Sequence, residues 1–238
     1  MLFHTWVFFF FFLIVYPVYL ATKNTRFVAP WLLLASYVFY GWWNPLYLIL
    51  IVYSTFLDFW VVRRMEKSER KRMWLFLGVG NNLLLLGFFK YGGFVADNVN
   101  RLLEFYSLSY RLPAPDVLLP VGISFYTFQS MSYAIDYYRG QIPREPSFIR
   151  FATFVAFFPQ LVAGPIERAR NLLPQFRIPP KIRRQDISDG LSLFIVGLFK
   201  KMAMADYLSM YVDPIYAVPG NYSGLTLFLA TFAFGWQI

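Results

Sequence analysis

Long apolar runs separated by short polar or basic stretches make up most of the chain. Residues 2–20 are almost wholly apolar, and residues 27–62 form a second run that is interrupted at Trp42-Trp43-Asn44-Pro45. Proline suits the first turn of a helix and disfavours helical geometry in the preceding residue, so this run is predicted to form two helices joined by a tight turn. Residues 73–89 form a further predicted span that ends at Lys90-Tyr91-Gly92-Gly93, since about 20 apolar residues cross a bilayer.

The remaining segments are less regular. Residues 94–108 carry apolar side chains at three- and four-residue spacing with charges between them, which predicts an amphipathic helix lying along the membrane surface. The apolar run at 148–162 is too short to cross comfortably, so a half-penetrating or steeply packed element is expected. Residues 171–186 are interpreted as a proline-rich basic loop, 187–211 as an apolar helix and 222–238 as the start of another helix.

One predicted membrane segment, LLPVGISFYTFQSMSYAIDYYRG at residues 118–140, contains many polar side chains. Polar groups are costly in hydrocarbon unless they are paired or hydrated, so such a segment is expected to line a cavity. Pro120 and Gly122 predict an unwound or re-entrant first turn, which is tolerated where protein buries it or water lines it. The candidate tunnel residues are Ser124, Gln129, Tyr133, Asp136 and Arg139. The alternative is structural: an ion pair between Asp136 and Arg139, with polar contacts that hold helices together.

The composition fits only a membrane protein. Of the 238 residues, 58% are hydrophobic, 22% are aromatic and 15% are charged, and the mean hydropathy is +0.47. This is too little polar surface for a soluble domain, so the prediction is an all-α, polytopic integral membrane protein with six to eight membrane elements in one domain over residues 1–238.

The net charge of +9 comes from basic residues clustered between the spans, chiefly in residues 63–72 and 167–186. Both clusters are typical of cytoplasmic loops and of contact with anionic lipid, and they lack the pattern of a nucleic-acid-binding surface. The Gly164-Pro165-Ile166-Glu167-Arg168 motif places Glu167 and Arg168 near the predicted cytoplasmic mouth. Together with Lys200 they could contact donor phosphates; the alternatives are a helix-terminus anchor and a lysine that extends to the lipid headgroups.

Several chemistries have no support in the sequence. The chain contains no cysteine, which excludes disulfides, thiolate nucleophiles and cysteine metal sites on it. Nucleotide-binding glycine loops and the common hydrolase and zinc motifs are also missing from the sequence, and no metal site or bound cofactor is predicted.

The segments LPVGISFYTFQSMSYAIDYYRG, FATFVAFFPQLVAGPIER and FAFGWQI, with the earlier YVFYGWWNPLYL, resemble the membrane-bound O-acyltransferase family. The resemblance is to the amino-terminal half of its bacterial alginate O-acetyltransferase branch, and the core motifs lie within residues 118–168. It implies a multi-helix bundle with interfacial and re-entrant helices around a tunnel. It also implies transfer of an acetyl group from a cytoplasmic donor, either acetyl-CoA or an acyl carrier, to hydroxyls of an extracytoplasmic polysaccharide.

The resemblance places the catalytic histidine of the family beyond Ile238, and His4 is not proposed for that role. Loss of general-base assistance costs about 10²- to 10⁴-fold, so the 238 residues alone are expected to be inactive or nearly so. The apolar run at 225–238 has no polar residue after it, which favours a truncated chain. The resemblance further implies a bacterial inner-membrane location and an extracytoplasmic transferase partner. A membrane transporter or glycan channel, and a noncatalytic scaffold for glycan modification, are the alternatives.

Overall fold

The computed structural model describes residues 1–113, 115, 119–161, 164–178 and 181–238. Across these ranges the chain forms eleven α-helices and no strand, and it is 77% helical. It divides into two compact units, Met1–Pro179 and Pro180–Ile238. The predicted all-α fold is confirmed, whereas the prediction of a single domain stays a prediction.

The first unit contains eight of the helices. They are α1 (Trp6–Thr22), α2 (Val28–Gly41), α3 (Leu48–Lys67), α4 (Lys71–Phe105), α5 (Ile123–Tyr138), α6 (Phe148–Ala156), α7 (Phe158–Leu161) and α8 (Ala169–Arg177). Helix α3 packs against α4, α5 and α6, and α2 packs against α1 and α6.

The predicted break in the second apolar run is confirmed. Helix α2 ends at Gly41, and a short 3₁₀ turn at Pro45–Tyr47 leads directly into α3. The side chain of Asn44 caps that turn, since its Oδ1 accepts a hydrogen bond from the backbone N–H of Leu46 at 3.0 Å. Pro45 has no N–H to leave unpaired, so it suits the first position of the turn.

The prediction of a separate surface helix at 94–108 is wrong. Helix α4 runs without a break for 35 residues and passes straight through Gly92 and Gly93. A glycine costs a helix only about 1 kcal/mol relative to alanine, and no proline lies between residues 71 and 105 to remove a backbone hydrogen bond. At 1.5 Å per residue the helix is about 52 Å long.

Large apolar side chains cover the outside of the long helices. Pro45–Lys67 and Lys71–Phe105 are both long and apolar enough to cross a bilayer, and Trp6–Thr22, Val28–Gly41 and Gly224–Gln237 are shorter apolar helices. Exposed side chains include Phe10 and Ile14 of α1, Leu34 of α2 and Leu84 of α4. Apolar surface on this scale is incompatible with water and suits lipid. The chain is therefore an all-α membrane protein.

The core of the first unit is built around the short helix α6. Residues 151–156 are fully buried, so this part of the helix is enclosed by the rest of the unit, while Ile149 in the first turn is exposed and Arg150 is half-buried. The rings of Phe151 and Tyr133 lie 4.5 Å apart, which joins α6 to α5. The run predicted as too short to span is thus the packed centre of this unit, and it turns at Phe157 into α7.

The predicted loop at 171–186 is also wrong in its first half. Residues 169–177 form α8, and its buried side chains Leu172, Leu173 and Phe176 are spaced as on one face of a helix. Pro174 lies inside this short helix without ending it. Its exposed side chains include Arg170 and Arg177, while the other basic residues of the predicted loop follow the helix.

The second unit contains α9 (Arg184–Phe199), a π-helical segment at Lys200–Ala205, α10 (Asp206–Ala217) and α11 (Gly224–Gln237). Helices α10 and α11 pack together, with the rings of Tyr216 and Phe234 5.8 Å apart and the hydroxyl of Tyr216 2.8 Å from that of Thr231. The helix predicted to begin near residue 222 is confirmed as α11.

Candidate functional site

Helix α5 carries four of the five candidate tunnel residues: Ser124, Gln129, Tyr133 and Asp136. It begins at Ile123, whereas the polar segment in the sequence begins at residue 118. Residues 119–122 are not helical, as Pro120 and Gly122 indicated, and Gly122 has a φ of 76°. That left-handed geometry suits glycine, which has no Cβ to clash. Ser124 lies in the first turn and is half-buried. The 16-residue helix spans about 24 Å, less than the thickness of a bilayer core.

Asp136 forms an ion pair, but not with the predicted partner. Its Oδ1 lies 3.3 Å from Nη1 of Arg168, whereas Arg139 follows the last residue of α5 and is exposed. The carboxylate of Asp136 is 3% exposed and the side chain of Arg168 is 53% exposed. The pair therefore connects a buried residue of α5 to the GPIER motif, and it joins a predicted tunnel residue to a predicted mouth residue.

Gln129 and Tyr133 bind α5 to its neighbours. Gln129 Nε2 donates a 2.5 Å hydrogen bond to the backbone oxygen of Phe154 in α6. The hydroxyl of Tyr133 accepts a 2.9 Å hydrogen bond from the backbone N–H of Glu145. Both side chains are buried, and their described contacts are between elements of the protein. A role in lining a tunnel stays a prediction.

Sequence reasoning missed Glu145, which is fully buried in the loop before α6. Its Oε1 accepts from Arg150 and from the backbone N–H of Ser147, and its Oε2 accepts from Nε and Nη2 of Arg177 at 3.0 and 2.7 Å. Burial by itself raises the pKa of this carboxyl, but the hydrogen bonds from Arg150, Ser147 and Arg177 outweigh it and hold the pKa below its ordinary value. Glu145 is thus a charged connection between α6 and α8.

Sequence reasoning also missed Asp58, a buried carboxylate inside the apolar helix α3. Both of its oxygens lie 2.8 Å from Nδ2 of Asn82 in α4, and Ser130 of α5 donates a hydrogen bond to Oδ2. Ser54 completes the group by donating to Oδ1 of Asn82 at 2.8 Å. Three helices therefore meet at one polar centre. A charged residue within an apolar run was the available signal, because ionisable groups inside a membrane face the protein interior.

The donor-side candidates Glu167 and Arg168, both in the first unit, contact different residues. Glu167 is half-buried and contacts Asn171 through its Oε2, while Arg168 pairs with Asp136. Lys200 belongs to the second unit, where it is exposed at the start of the π-helical segment. His4 is exposed in the turn before α1.

Some buried polar atoms have no hydrogen-bond partner among the described residues. They include Oδ2 of Asp136 and the hydroxyls of Tyr40 and Tyr126. Such atoms are costly to leave unpaired. A carboxylate oxygen accepts hydrogen bonds, and a tyrosine hydroxyl both donates and accepts, so these atoms can bind hydroxyl-bearing groups or water. The described residues bring together no group of three or more side chains suited to hold a metal ion.

Comparison with known proteins identifies homologues of the chain. The chain is 37% identical over 94% of its length to a probable alginate O-acetylase of Pseudomonas putida and, with the same values, to one of Pseudomonas aeruginosa. It is 31% identical over 91% of its length to a peptidoglycan O-acetyltransferase of Helicobacter pylori. These relatives are members of the membrane-bound O-acyltransferase family, and the chain is homologous to them over nearly all of its own length.

The match covers a part of each relative. The chain spans about half the length of the curated relatives it matches: 47% and 44% of the two alginate O-acetylases and 46% of the peptidoglycan O-acetyltransferase. No family model matches the chain, and no solved structure matches it. The relationship therefore rests on these relatives and on the 94% or 91% of the chain that their alignments cover.

Proposed function

We propose that this chain is part of an O-acetyltransferase that moves an acetyl group from a cytoplasmic donor to hydroxyls of an extracytoplasmic polysaccharide such as alginate. The observation that carries the proposal is the 37% identity to alginate O-acetylases over 94% of the chain. Acetylation of peptidoglycan is the second candidate acceptor, because a relative with that name is 31% identical over 91% of the chain. The proposed location is the inner membrane of a bacterium.

The polar residues of α5 supply a physical rationale for hydroxyl binding. In the proposal, Oδ2 of Asp136 accepts a hydrogen bond from a ligand hydroxyl, while the contact with Arg168 orients the carboxylate through its other oxygen. Attack of an alcohol on a thioester or ester requires removal of the hydroxyl proton, and imidazole is well tuned for that step. We therefore assign Asp136 and Arg168 to binding and orientation. The general base is a histidine outside the 238 residues, as the family resemblance implies.

The proposed donor is acetyl-CoA or an acetylated acyl carrier, and no cofactor is proposed to remain bound. The other proposed partners are membrane lipid, the polysaccharide and an extracytoplasmic transferase that completes delivery. Because the donor is polyanionic in either form, the basic clusters at 63–72 and 167–186 suit its approach from the cytoplasmic side.

A chimera tests the proposal. The matching half of the Pseudomonas aeruginosa alginate O-acetylase is replaced by this chain, and the chimera is expressed in a strain that lacks its own O-acetylase. We expect acetyl groups to return to the alginate, measured by proton NMR of the purified polymer. The same chimera with Asp136→Ala is expected to restore far fewer acetyl groups at an equal level of membrane protein.

Two outcomes would favour the other functions. If the chimera is present in the membrane but the alginate carries no acetyl group, the acetyltransferase proposal for this chain fails.

The chain is also reconstituted in vesicles. Movement of a glycan across them without an acyl donor would favour a transporter or glycan channel. Acetylation that survives substitution of every histidine in the other half of the chimera would favour a noncatalytic scaffold. The predicted inactivity of the 238 residues alone is tested in the same strain by expressing them without the other half.

A further inference from the structure

A basic cavity of about 580 Å³ lies in the first unit, apart from the residues considered above as tunnel or mouth. Its wall consists of the loop between α1 and α2, the first turns of α2 and α6, and the end of α8. Its described lining includes no acidic residue and four cationic side chains: Lys23, Arg26, Arg150 and Arg177. The volume falls within the usual range of small-molecule sites, about 300–1,000 Å³.

The two deeper arginines are held in place from behind. Glu145 bonds Nε and Nη2 of each guanidinium through a carboxylate that is itself fully buried. An arginine has five N–H donors in a planar fork. For Arg150 and Arg177, the Nη1 group has no acceptor among the described residues, so part of each fork stays available. One carboxylate also neutralises only one of the four positive charges.

The other two cations form no ion pair that would compete with a ligand. Lys23 is half-buried and has no acidic partner in the described part of the chain, and Arg26 lies over the ring of Phe27 at 5.2 Å. Both belong to the short loop at 23–26, which is predicted to lie on the cytoplasmic side with the other basic loops. The cavity therefore combines fixed arginines with two cations on a surface loop.

Two helix N-termini add to the positive potential. Val28, Ala29 and Pro30, in the first turn of α2, and Ser147 and Ile149, at the start of α6, are part of the cavity wall. Helix N-termini carry partial positive charge and unpaired N–H groups, both of which favour anions. Here they reinforce four side-chain cations rather than acting alone.

We propose that this cavity binds a phosphate-bearing ligand. Arginine matches the geometry of phosphate oxygens with two parallel hydrogen bonds, and a net excess of positive charge favours an anion that carries more than one negative charge. The ligand is either the headgroup of an anionic phospholipid or a soluble phosphoester or pyrophosphate. The apolar side chains of Ile149, Phe176 and Ile178 also line the cavity and suit the carbon skeleton attached to the phosphate. The proposal does not depend on the acyltransferase function.

Binding is measured on the full chain in two arms. In the first, inorganic pyrophosphate is titrated into protein held in phosphatidylcholine nanodiscs and followed by calorimetry. In the second, native mass spectrometry counts phosphatidylglycerol molecules retained by the protein from mixed micelles. We expect Lys23→Gln/Arg26→Gln to weaken binding at least about tenfold in the arm that contains the true type of ligand, since each cation near an anionic group contributes measurably.

A matched variant removes the same charge elsewhere. Lys67→Gln/Arg70→Gln also replaces one lysine and one arginine, here in the basic stretch at 63–72 where α3 ends and α4 begins, and both residues are exposed and outside the cavity. We expect its binding to equal that of the wild type. Lys23→Arg/Arg26→Lys keeps the charge and should retain binding, which separates loss of the site from loss of the fold.

The two binding measurements distinguish a soluble ligand, a lipid headgroup and non-specific attraction to a basic surface. Cavity-specific loss with pyrophosphate alone supports a soluble phosphoester, and cavity-specific loss with phosphatidylglycerol alone supports a lipid headgroup. Equal loss in the cavity and control variants would show general attraction to a basic surface and overturn the proposal. So would unchanged binding in the cavity variant, or wild-type protein that binds neither probe. Acetylation by the chimera is a separate measurement, so its failure and the failure of this site can be told apart.

Discussion

Asp136 and Arg168 are 32 positions apart in the chain, yet their side chains form the 3.3 Å ion pair that joins α5 to the GPIER motif. The carboxylate is buried, and the arginine is the described charge that compensates it. Removing the cation from a buried pair leaves an uncompensated charge, which is more costly than removing both partners.

We therefore predict that Arg168→Gln destabilises the protein more than the double variant Asp136→Asn/Arg168→Gln does. The expected loss for the single variant is of the order of 1–3 kcal/mol, because the pair is partly exposed at the arginine end. Thermal unfolding in detergent, followed by circular dichroism, measures the difference. Arg170→Gln is the control, since Arg170 is an exposed neighbour in α8. Equal melting temperatures for the single and double variants would contradict the pairing.

The polar centre at Asp58 leads to a second prediction. Asp58→Ala removes the carboxylate that accepts from both the amide of Asn82 and the hydroxyl of Ser130, and it leaves that amide only its bond to the backbone oxygen of Gly78. Ser130→Ala removes one of the two described donors to the carboxylate. A buried polar group left unpaired costs about 1–3 kcal/mol, and single interhelical hydrogen bonds in membranes average about 0.6 kcal/mol. We expect Asp58→Ala to lower the unfolding temperature several times more than Ser130→Ala. Similar shifts for the two variants would show that Asp58 does not organise this centre.

The hydrogen bonds of Glu145 predict a dependence of stability on pH. Its pKa in the folded protein lies below the ordinary value of 4.5, so the unfolded chain binds its proton more readily. Stability from this group is therefore fully present above about pH 4.5 and is lost as the pH falls through the lower, folded pKa. We expect the melting temperature of the wild type to exceed that of Glu145→Gln at pH 7.

The difference in melting temperature between the two proteins should shrink between pH 4.5 and pH 3. Protonation then removes the negative charge of Glu145 from the wild type, and Glu145→Gln already lacks that charge. Melting curves of both proteins across this range measure the effect, and the other carboxylates cancel in the comparison. A difference that stays constant down to pH 3 would contradict the assignment.

Gly164 gives a prediction about close packing in the GPIER motif. A Cβ built at this position would lie 2.4 Å from Cα of Gln160, so the backbone would have to shift. We predict that Gly164→Ala destabilises the protein by about 1–3 kcal/mol, the usual cost of overpacking. Gly80→Ala in α4 is the matched control: nothing lies within 4 Å of its Cβ, and alanine is favoured over glycine in a helix interior. If both variants unfold at the same temperature, the close approach between Gly164 and Gln160 does not limit the size of the side chain at this position.

The sequence predicted correctly those elements that are specified by residues adjacent in the chain. Pro45 and Asn44 specify the turn between α2 and α3 through a fixed backbone angle and a side-chain cap. The error in α4 has a similar local origin, since two glycines were given the weight of a helix break when each costs a long helix little. Helix α8 was missed although Leu172, Leu173 and Phe176 show helical spacing. The prolines and arginines of that stretch were taken as evidence for a basic loop.

The candidate site was less predictable because its contacts are long-range. The spacing of Asp136 and Arg139 favoured a pair within one helix, but Arg139 follows the end of α5 and turns to the surface. The observed partner of Asp136 is Arg168, which cannot be deduced from spacing because it lies 32 positions away in the chain. Asp58 and Glu145 were overlooked for the same reason: each is stabilised by residues from two other elements, and those partners come together only after the helices pack.

Helix α4 is about 52 Å long, while the hydrocarbon core of a bilayer is about 30 Å thick. The surplus of some four turns lets the helix tilt or shift as membrane thickness varies, and its charged last turns, with Asp97, Arg101 and Glu104, can lie outside the hydrocarbon. Asn82, which α4 contributes to the polar centre, lies well inside the helix and so stays away from the headgroups in either case. Membranes of different thickness are therefore expected to host the protein without disturbing the contact between Asn82 and Asp58.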